Sequence, residues 1–154
     1  VGWLLFHLPM TRTYLKKRET LRIVKAMALM LDGHARLPEA LKAAGTATTV
    51  PAYHELLAQT SEEVAAGRSL ADTLGASPLL DGLARAMIQA GAESDTLAKL
   101  LDAAAQKLEE ETAAQLAQVM SLLTPALTLL IGGTVGALIL ATISAILDLN
   151  DVAF

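Results

Sequence analysis

Residues 122–147 read LLTPALTLLIGGTVGALILATISAIL, and none of them is charged. The uncharged run begins earlier, at Thr112, and all 12 Lys and Arg residues lie at or before Lys107. A transmembrane α-helix needs about 20 consecutive apolar residues. The alternative is a central helix buried in a soluble bundle, but a chain of 154 residues is too short to cover so long an apolar helix on every side. We therefore predict a transmembrane helix over residues 119–147 and a short tail at 148–154.

Small residues form a regular pattern inside this predicted span. The set comprises Gly132, Gly133, Gly136, Ala137, Ala141 and Ala145. Small side chains allow helix backbones to approach closely in lipid, where there is no hydrophobic driving force between helices. The pattern therefore predicts a packing face for another transmembrane helix, and it leaves room for a homo-oligomer. Pro125 lacks a backbone donor, so we also expect a kink near the start of the span.

The residues before the span predict its orientation and a contact with membrane lipid. Basic residues remain on the cytoplasmic side, so the body of the chain should be cytoplasmic and its C-terminus periplasmic. The first ten residues, VGWLLFHLPM, contain Trp3 and Phe6, and a basic cluster begins at Arg12. Aromatic rings beside cations suit the level of the lipid headgroups. Residues 1–10 are therefore either an interfacial docking segment or a hydrophobic staple leading into the next helix.

The composition excludes several classes of function. The chain has no Cys and three scattered His, which leaves little material for a zinc, haem or redox site. A net charge of −4 argues against nucleic-acid binding, which needs a basic patch. No serine has His and acidic partners at the spacing of a hydrolase, and no glycine-rich phosphate loop follows a strand. We predict a protein that is not an enzyme and that has no cofactor and no metal.

Residues 11–118 have the periodicity of helices and predict an all-α, six-helix cytoplasmic bundle. The predicted helices span residues 11–31, 38–45, 51–67, 69–75 and 78–91, and a long sixth helix starts at 95 and continues into the membrane. The apolar faces expected to form the core are Leu21, Val24, Ala28 and Leu31; Tyr53, Leu56, Leu57, Thr60 and Val64; Leu80, Leu83 and Met87; and Leu97, Leu101, Ala104 and Leu108.

Glycines mark where the predicted helices end. Gly33, Gly45 and Gly75 are expected to end the first, second and fourth helices. Gly67 can adopt the left-handed backbone conformation that ends the third helix. Ser69, with Asp72 three residues later, suits a reciprocal cap of the fourth helix.

The sequence GAESDTL, residues 91–97, combines polar and acidic groups in a way that raises the question of a site. Gly91 can end the fifth helix, and Ser94 or Asp95 can cap the sixth. The positive end of that helix favours nearby acidic groups. We therefore predict a helix corner at these residues, without a metal bound by Glu93 and Asp95.

Two other charged groups have alternative interpretations. The run at residues 109–111, three glutamates, could attract a cation or a basic partner, but such a run is more often the solvated face of a helix. A second set could form a charged docking surface, although scattered surface charge is the usual case. Its members are Glu55, Glu62, Glu63, Arg68, Asp72 and Asp81.

Three short motifs, GRSL at 67–70, GAESDTL at 91–97 and LTPA at 123–126, precede the glycine-rich span. In this order they resemble the type II secretion system F family. The resemblance covers the chain from about Leu8 to the tail and matches the second cytoplasmic domain and last transmembrane helix of that family. The residues that carry it are Gly67, Ser69, Leu70, Gly91, Ser94, Leu97 and Pro125. The family pattern at the corner is Gly-Glu-x-Ser-Gly-x-Leu, from which Ala92 and Asp95 depart.

The resemblance implies an inner-membrane platform protein of a type II secretion or type IV pilus machine, with a bundle that is not catalytic. Such platforms connect a cytoplasmic assembly ATPase to pilin or pseudopilin subunits in the membrane. In that role the long sixth helix would be a mechanical link, and the chain would be the last part of a longer protein.

Two other classes of function are consistent with the residues. A tail-anchored helical adaptor or regulatory protein would be a complete chain that works alone. A transporter fragment should carry charged or polar groups in its span, where this chain offers only Thr and Ser.

Overall fold

The protein is all-α, as predicted, in a computed structural model that describes residues 9–152. Five α-helices and one 3₁₀ turn form its regular structure, and this range contains no β-strand. The helices are α1 (Pro9–Asp32), α2 (Leu37–Ala47), α3 (Pro51–Ala65), α4 (Gly82–Gly91) and α5 (Leu97–Val152), and the 3₁₀ turn spans Leu74–Ala76. Trp3 and Phe6, in the segment predicted to contact lipid, lie outside the described residues.

The chain divides into two compact units. The first ends at Ala113 and contains α1–α4 and the start of α5, while the second begins at Ala114 and contains the rest of α5. Almost every side chain described in the second unit is exposed. The limits predicted for the membrane span, 119–147, stay a prediction.

An apolar core holds the first unit together, and all five helices contribute to it. Its largest fully buried side chains include Ile23, Met27, Leu41, Leu57, Ile88, Leu101 and Leu108. Burying one such side chain contributes about 1.5–3 kcal/mol to folding. The face predicted for the sixth helix is confirmed, because its four residues from Leu97 to Leu108 are all buried. On α3, Tyr53, Leu57 and Thr60 are buried, while Leu56 and Val64 are half-buried.

The buried face of α1 differs from the predicted one. Val24 and Ala28 are buried as expected, but Leu21 and Leu31 are only half-buried. The rest of the buried face consists of Glu19, Thr20, Ile23 and Met27. The pattern misses this face because two of its residues are polar and become buried through hydrogen bonds with distant segments.

The buried face of α4 also differs from prediction, because it is formed by small residues and Ile88. Ala84 and Gly91 are buried beside it, whereas Leu83 and Met87 are half-buried. Small residues carry little apolar surface, so they add little to the hydrophobic periodicity of the sequence. They can still lie on the buried face, because they let two helices approach closely.

The predicted fourth helix is wrong, since residues 70–73 form turns that lead into the 3₁₀ turn. The Ser69 hydroxyl accepts a hydrogen bond from the Ala71 amide (3.2 Å), and the Thr73 hydroxyl donates to the Ser69 carbonyl (3.0 Å). Ser and Thr side chains that bond nearby backbone groups offer the chain an alternative to a helix. Gly75 does not end a helix here but lies buried inside the 3₁₀ turn.

The start of α4 is later than predicted. Asp81 caps this helix, because its carboxylate accepts a hydrogen bond from the Leu83 amide (3.0 Å). The Ser77 hydroxyl instead accepts from the Leu79 amide (3.3 Å), which stabilises a turn. Leu80 is fully buried before the helix starts, so this part of the chain turns into the core.

Gly45 does not end α2, which continues to Ala47. The glycine is buried, and a Cβ atom built on it would lie 3.7 Å from Nδ1 of His54 and 3.9 Å from Cβ of Leu57. The His54 Nδ1 atom lies 3.0 Å from the Gly45 carbonyl oxygen. Gly45 therefore marks the place where α3 packs on α2 and not the end of a helix.

Helices α1 and α3 end in the same way, with a left-handed residue and two backbone hydrogen bonds. After α3 this residue is Gly67, with φ of 96°, as predicted. After α1 it is His34, with φ of 62°, and not Gly33. The amide of Ala35 bonds to the carbonyl of Met30 (3.0 Å), which completes the motif.

We expect the substitution His34→Gly to stabilise the first unit. The left-handed conformation costs an L-residue about 1–2 kcal/mol, which glycine does not incur, although glycine gives part of this back as chain entropy. The free energy of unfolding should rise by roughly 1 kcal/mol in a denaturant titration of the detergent-solubilised chain. Gly67→Ala, at the equivalent position after α3, is the matched control and should lower it by a similar amount. A loss of stability in His34→Gly would contradict this account.

Candidate functional site

The corner at residues 91–97 joins α4 to α5 at very close range. Gly91 is the last residue of α4 and Leu97 is the first of α5. A Cβ atom built on Gly91 would lie 2.9 Å from Cδ1 of Leu100 and 3.1 Å from the backbone Cα of Leu97. A larger residue at this position would therefore push the backbones of the two helices apart.

Ser94 builds the turn of this corner. Its hydroxyl accepts a hydrogen bond from the Thr96 amide (3.1 Å) and contacts the Thr96 hydroxyl, while its own amide donates to the Gly91 carbonyl (3.1 Å). The expected cap by Ser94 or Asp95 is wrong, because Thr96 directly precedes α5 and neither side chain bonds an amide of that helix. Asp95 and Glu93 are exposed, and the described residues contain no group of three acidic or His side chains placed to hold a metal.

An open groove of about 560 Å³ lies beside the corner, within the first unit. Its polar lining includes Asp32, His34, Ser94, Asp95 and Lys99. These side chains carry both signs of charge, so the groove does not select a ligand of one charge.

The other motif residues lie in the turn after α3. Gly67 ends that helix, Ser69 stabilises the following turn, and Leu70 is 2% exposed within the core. These residues determine where the chain turns and how the core packs, so their roles in the fold are structural. Their function as a family motif stays a prediction.

A buried carboxylate that the sequence analysis missed joins α1 to the link between α2 and α3. Glu19 is 1% exposed. Its Oε2 accepts hydrogen bonds from the Thr48 hydroxyl (2.7 Å) and the Thr49 amide (3.3 Å), and its Oε1 accepts from Arg22 (3.2 Å). A buried carboxylate is tolerated when it is paired and bonded in this way. The only signal in the sequence was an acidic residue directly beside the apolar face of α1.

Thr20 and Tyr53 extend these polar contacts to the segment before α4. The Thr20 hydroxyl accepts a hydrogen bond from the Asp81 amide (3.0 Å), and the Tyr53 hydroxyl donates to the Leu79 carbonyl (2.9 Å). Burial raises the pKa of Tyr53, and the negative charge of Glu19 raises this pKa further. Polar side chains of α1 and α3 therefore hold two irregular segments of the first unit in place, namely the link between α2 and α3 and the segment before α4.

The glutamate run at 109–111 is more than a solvated face, because two of its members pair with α1. Lys17 lies 2.5 Å from Glu111, and Lys25 lies 3.4 Å from Glu109. The hydrogen bond from Lys17 lowers the pKa of Glu111, which precedes the uncharged segment. The Lys25–Glu109 pair is exposed, whereas Lys17–Glu111 is half-buried. A surface pair contributes about 0.2–1 kcal/mol to stability, so the main effect of these pairs is to hold α1 against α5.

The second unit is the candidate membrane surface. Within the described residues, α5 is the one helix long and apolar enough to cross a membrane, with a mean hydropathy of 2.2 over its most apolar part. Its large apolar side chains are exposed, for example Leu129 at 76% and Leu138 at 66%. This is the arrangement that lipid contact requires.

The small residues of this unit have no described partner. Nothing lies within 4 Å of a Cβ atom built on Gly132, Gly133 or Gly136, and Ala137 and Ala141 are exposed. Pro125 lies inside α5, which continues through it as helix. The helix-packing face of the span therefore stays a prediction.

Comparison with known proteins gives consistent matches. A family model described as type II secretion system (T2SS), protein F, matches residues 23–145. The chain is 28% identical to a type 4 fimbrial assembly protein, PilC, of Pseudomonas putida over 94% of this chain and 36% of that protein. It is 25% identical to the type II secretion system protein F of Pseudomonas aeruginosa (96% and 36%) and 30% identical to that of Aeromonas hydrophila (79% and 32%). The chain thus spans about a third of the length of these relatives.

We expect Gly91→Ala to destabilise the corner. The new methyl group would overlap the Leu97 backbone, and overpacking of this kind costs about 1–3 kcal/mol, more than the gain in helix propensity. The free energy of unfolding should fall by roughly 1 kcal/mol. Gly82→Ala is the matched control in the same helix, because its new Cβ atom would meet nothing closer than Arg85 at 4.0 Å. Equal stability of the two variants would show that the close approach is unimportant.

We expect Glu19→Ala to reduce the free energy of unfolding by about 3 kcal/mol, since it leaves Thr48, Thr49 and Arg22 without their acceptor. Glu19→Gln keeps an acceptor and should cost less.

In a Tyr14→Phe background, absorbance titration reports Tyr53 alone, as the chain has two Tyr. Glu19→Gln should lower the pKa of Tyr53 but leave it above 10.0, because burial is the larger cause of its shift. An unchanged pKa would refute the charge effect.

Proposed function

The chain belongs to the type II secretion system protein F family, and from this membership we propose that it is part of an inner-membrane platform protein. It supplies the second cytoplasmic domain and the last transmembrane helix of a platform that serves a type II secretion or type IV pilus machine. The names of its relatives, which include both a secretion protein and a fimbrial assembly protein, support this role. In this proposal the protein transmits motion and catalyses no reaction, so it is not an enzyme.

The proposed platform connects a cytoplasmic assembly ATPase to pilin or pseudopilin subunits. The first unit would contact the ATPase on the cytoplasmic side, and the second unit would lie among the membrane subunits. The basic residues, all at or before Lys107, favour a cytoplasmic bundle and a periplasmic C-terminus. The small residues of the span would pack on other transmembrane helices of the platform.

Within the structure, one observation carries the mechanical part of this proposal, namely the extent of α5. Its first turns are anchored in the core by Leu97, Leu101 and Leu108, and the same helix then carries the whole uncharged apolar stretch. An α-helix resists compression along its axis because each turn is bonded to the next. A displacement of the bundle is therefore expected to reach the span without being absorbed by a loop.

We expect a flexible Gly-Ser insertion after Gln115 to abolish filament assembly or secretion while leaving folding and membrane insertion intact. The insertion interrupts the helix between the two units, so displacement of the bundle no longer moves the span. Assembly is measured in cells that depend on the encoding gene, by counting filaments or the secreted product.

The matched control is an all-alanine insertion of about seven residues, close to two helical turns, which keeps the helix and its faces. This control should retain much more activity than the Gly-Ser variant. Crosslinking from Glu62 and Glu63 to the ATPase should be unchanged in both variants, because the bundle itself is unaltered. A Gly-Ser variant that assembles filaments as well as the alanine control would refute the mechanical link.

A further inference from the structure

We propose that the first turns of α1 bind the headgroups of anionic lipids. The groups involved are Arg12, Lys16 and Arg18, which we call the α1 basic collar. The proposal rests on the membrane insertion contained in the proposed function, but not on the identity of the machine. It assigns a lipid-binding role to residues of the bundle that are separate from the apolar span.

The collar consists of cations for which residues 9–152 provide no acidic partner. The other basic residues of α1 are in ion pairs, Lys17 with Glu111, Arg22 with Glu19 and Lys25 with Glu109. No such pair exists for Arg12, Lys16 or Arg18 among the described residues, and Arg12 and Arg18 are exposed. The stretch PMTRTYLKKR, which starts α1, also contains no acidic residue.

The ion pairs indicate where the collar lies along α5 within the first unit. The more N-terminal lysine, Lys17, pairs with the more C-terminal glutamate, Glu111, and Lys25 pairs with Glu109. Both lysines therefore contact the last charged residues before the uncharged stretch of α5. Since the uncharged stretch begins at Thr112, Lys17 is held where the charges of α5 end. Lys16 and Arg18 flank Lys17 in the chain.

The arrangement of the charges favours lipid over a protein partner. Lys16 and Arg18 project from different sides of α1, since two residues turn the helix by about 200°. A protein partner would contact one side of the helix, whereas a layer of headgroups can contact every side that the bundle leaves exposed. The collar extends from Arg12 to Arg18, about 9 Å of helix, which is comparable to the thickness of one headgroup layer.

The residues between the cations also suit this environment. Tyr14 is half-buried, and Leu15 is 44% exposed although it is apolar. Tyrosine and leucine beside cations are typical of segments at the membrane interface. Each basic residue near an anionic surface contributes about a fivefold gain in lipid affinity, and this gain falls as salt screens the charges.

The test uses the full chain in lipid nanodiscs. Because the chain has no Cys, Leu15→Cys gives a single site for a fluorescent label. The nanodiscs contain phosphatidylcholine and phosphatidylglycerol, with a headgroup quencher on one lipid or the other. We expect the phosphatidylglycerol quencher to act several-fold more strongly at low salt, and this preference to weaken at high salt. The variant with Arg12→Gln, Lys16→Gln and Arg18→Gln should quench equally with both lipids.

A control variant removes three exposed cations elsewhere, with Arg36→Gln, Lys42→Gln and Lys99→Gln, and should keep the preference.

Equal quenching by both lipids in the parent chain, or a preference that survives loss of the collar, would overturn the proposal. Equal quenching combined with an assembly defect of the collar variant in cells would assign these cations to an acidic protein partner instead. A chain that does not enter nanodiscs would refute both the span and the collar, whereas one that enters without lipid preference refutes the collar alone.

Discussion

The fold of this protein depends on one helix, α5, which combines a face buried in a protein core with a long exposed apolar stretch of the kind that suits lipid. In lipid no water is present to bond the backbone, so a spanning segment must satisfy its polar groups within itself as a helix. Helix α5 meets this requirement, because its backbone is helical from Leu97 to Val152. The polarity and burial of its side chains change along its length. Up to Thr112 one side of it is buried in a protein core, and beyond that residue no charge occurs until Asp148.

Polar contacts give the first unit its particular arrangement. Hydrophobic burial provides most of the driving force, but it has no direction, so it does not by itself decide how α1 lies on its neighbours. Glu19 and Thr20, on the buried face of α1, bond the residues that precede α3 and α4. Lys17 and Lys25 add ion pairs to α5. These directional contacts relate α1 to three separate parts of the chain, and they explain why its buried face includes polar residues.

The parts of the fold that the sequence predicted correctly have strong local causes. Proline in the first turn of α2 and α3, glycine in the left-handed position after α3, and the leucine repeat of α5 each determine their own neighbourhood. The predictions failed where two local signals competed. At 69–75, serine and threonine hydroxyls bonded the backbone and prevented a helix, and at Gly45 the absent side chain served packing. The candidate site showed the same division, since GAESDTL was correctly read as a corner but its cap was wrong.

The sequence by itself determined the all-α class, the long uncharged helix and the resemblance to a family, because these depend on composition, periodicity and short motifs along the chain. Only the tertiary structure showed that Glu19 is a buried anchor, that Gly91 allows a close approach of helices, and that the glutamates at 109 and 111 meet lysines of α1. These partners are up to 94 residues apart. Such pairings arise when the core brings distant segments together, so no local pattern contains them.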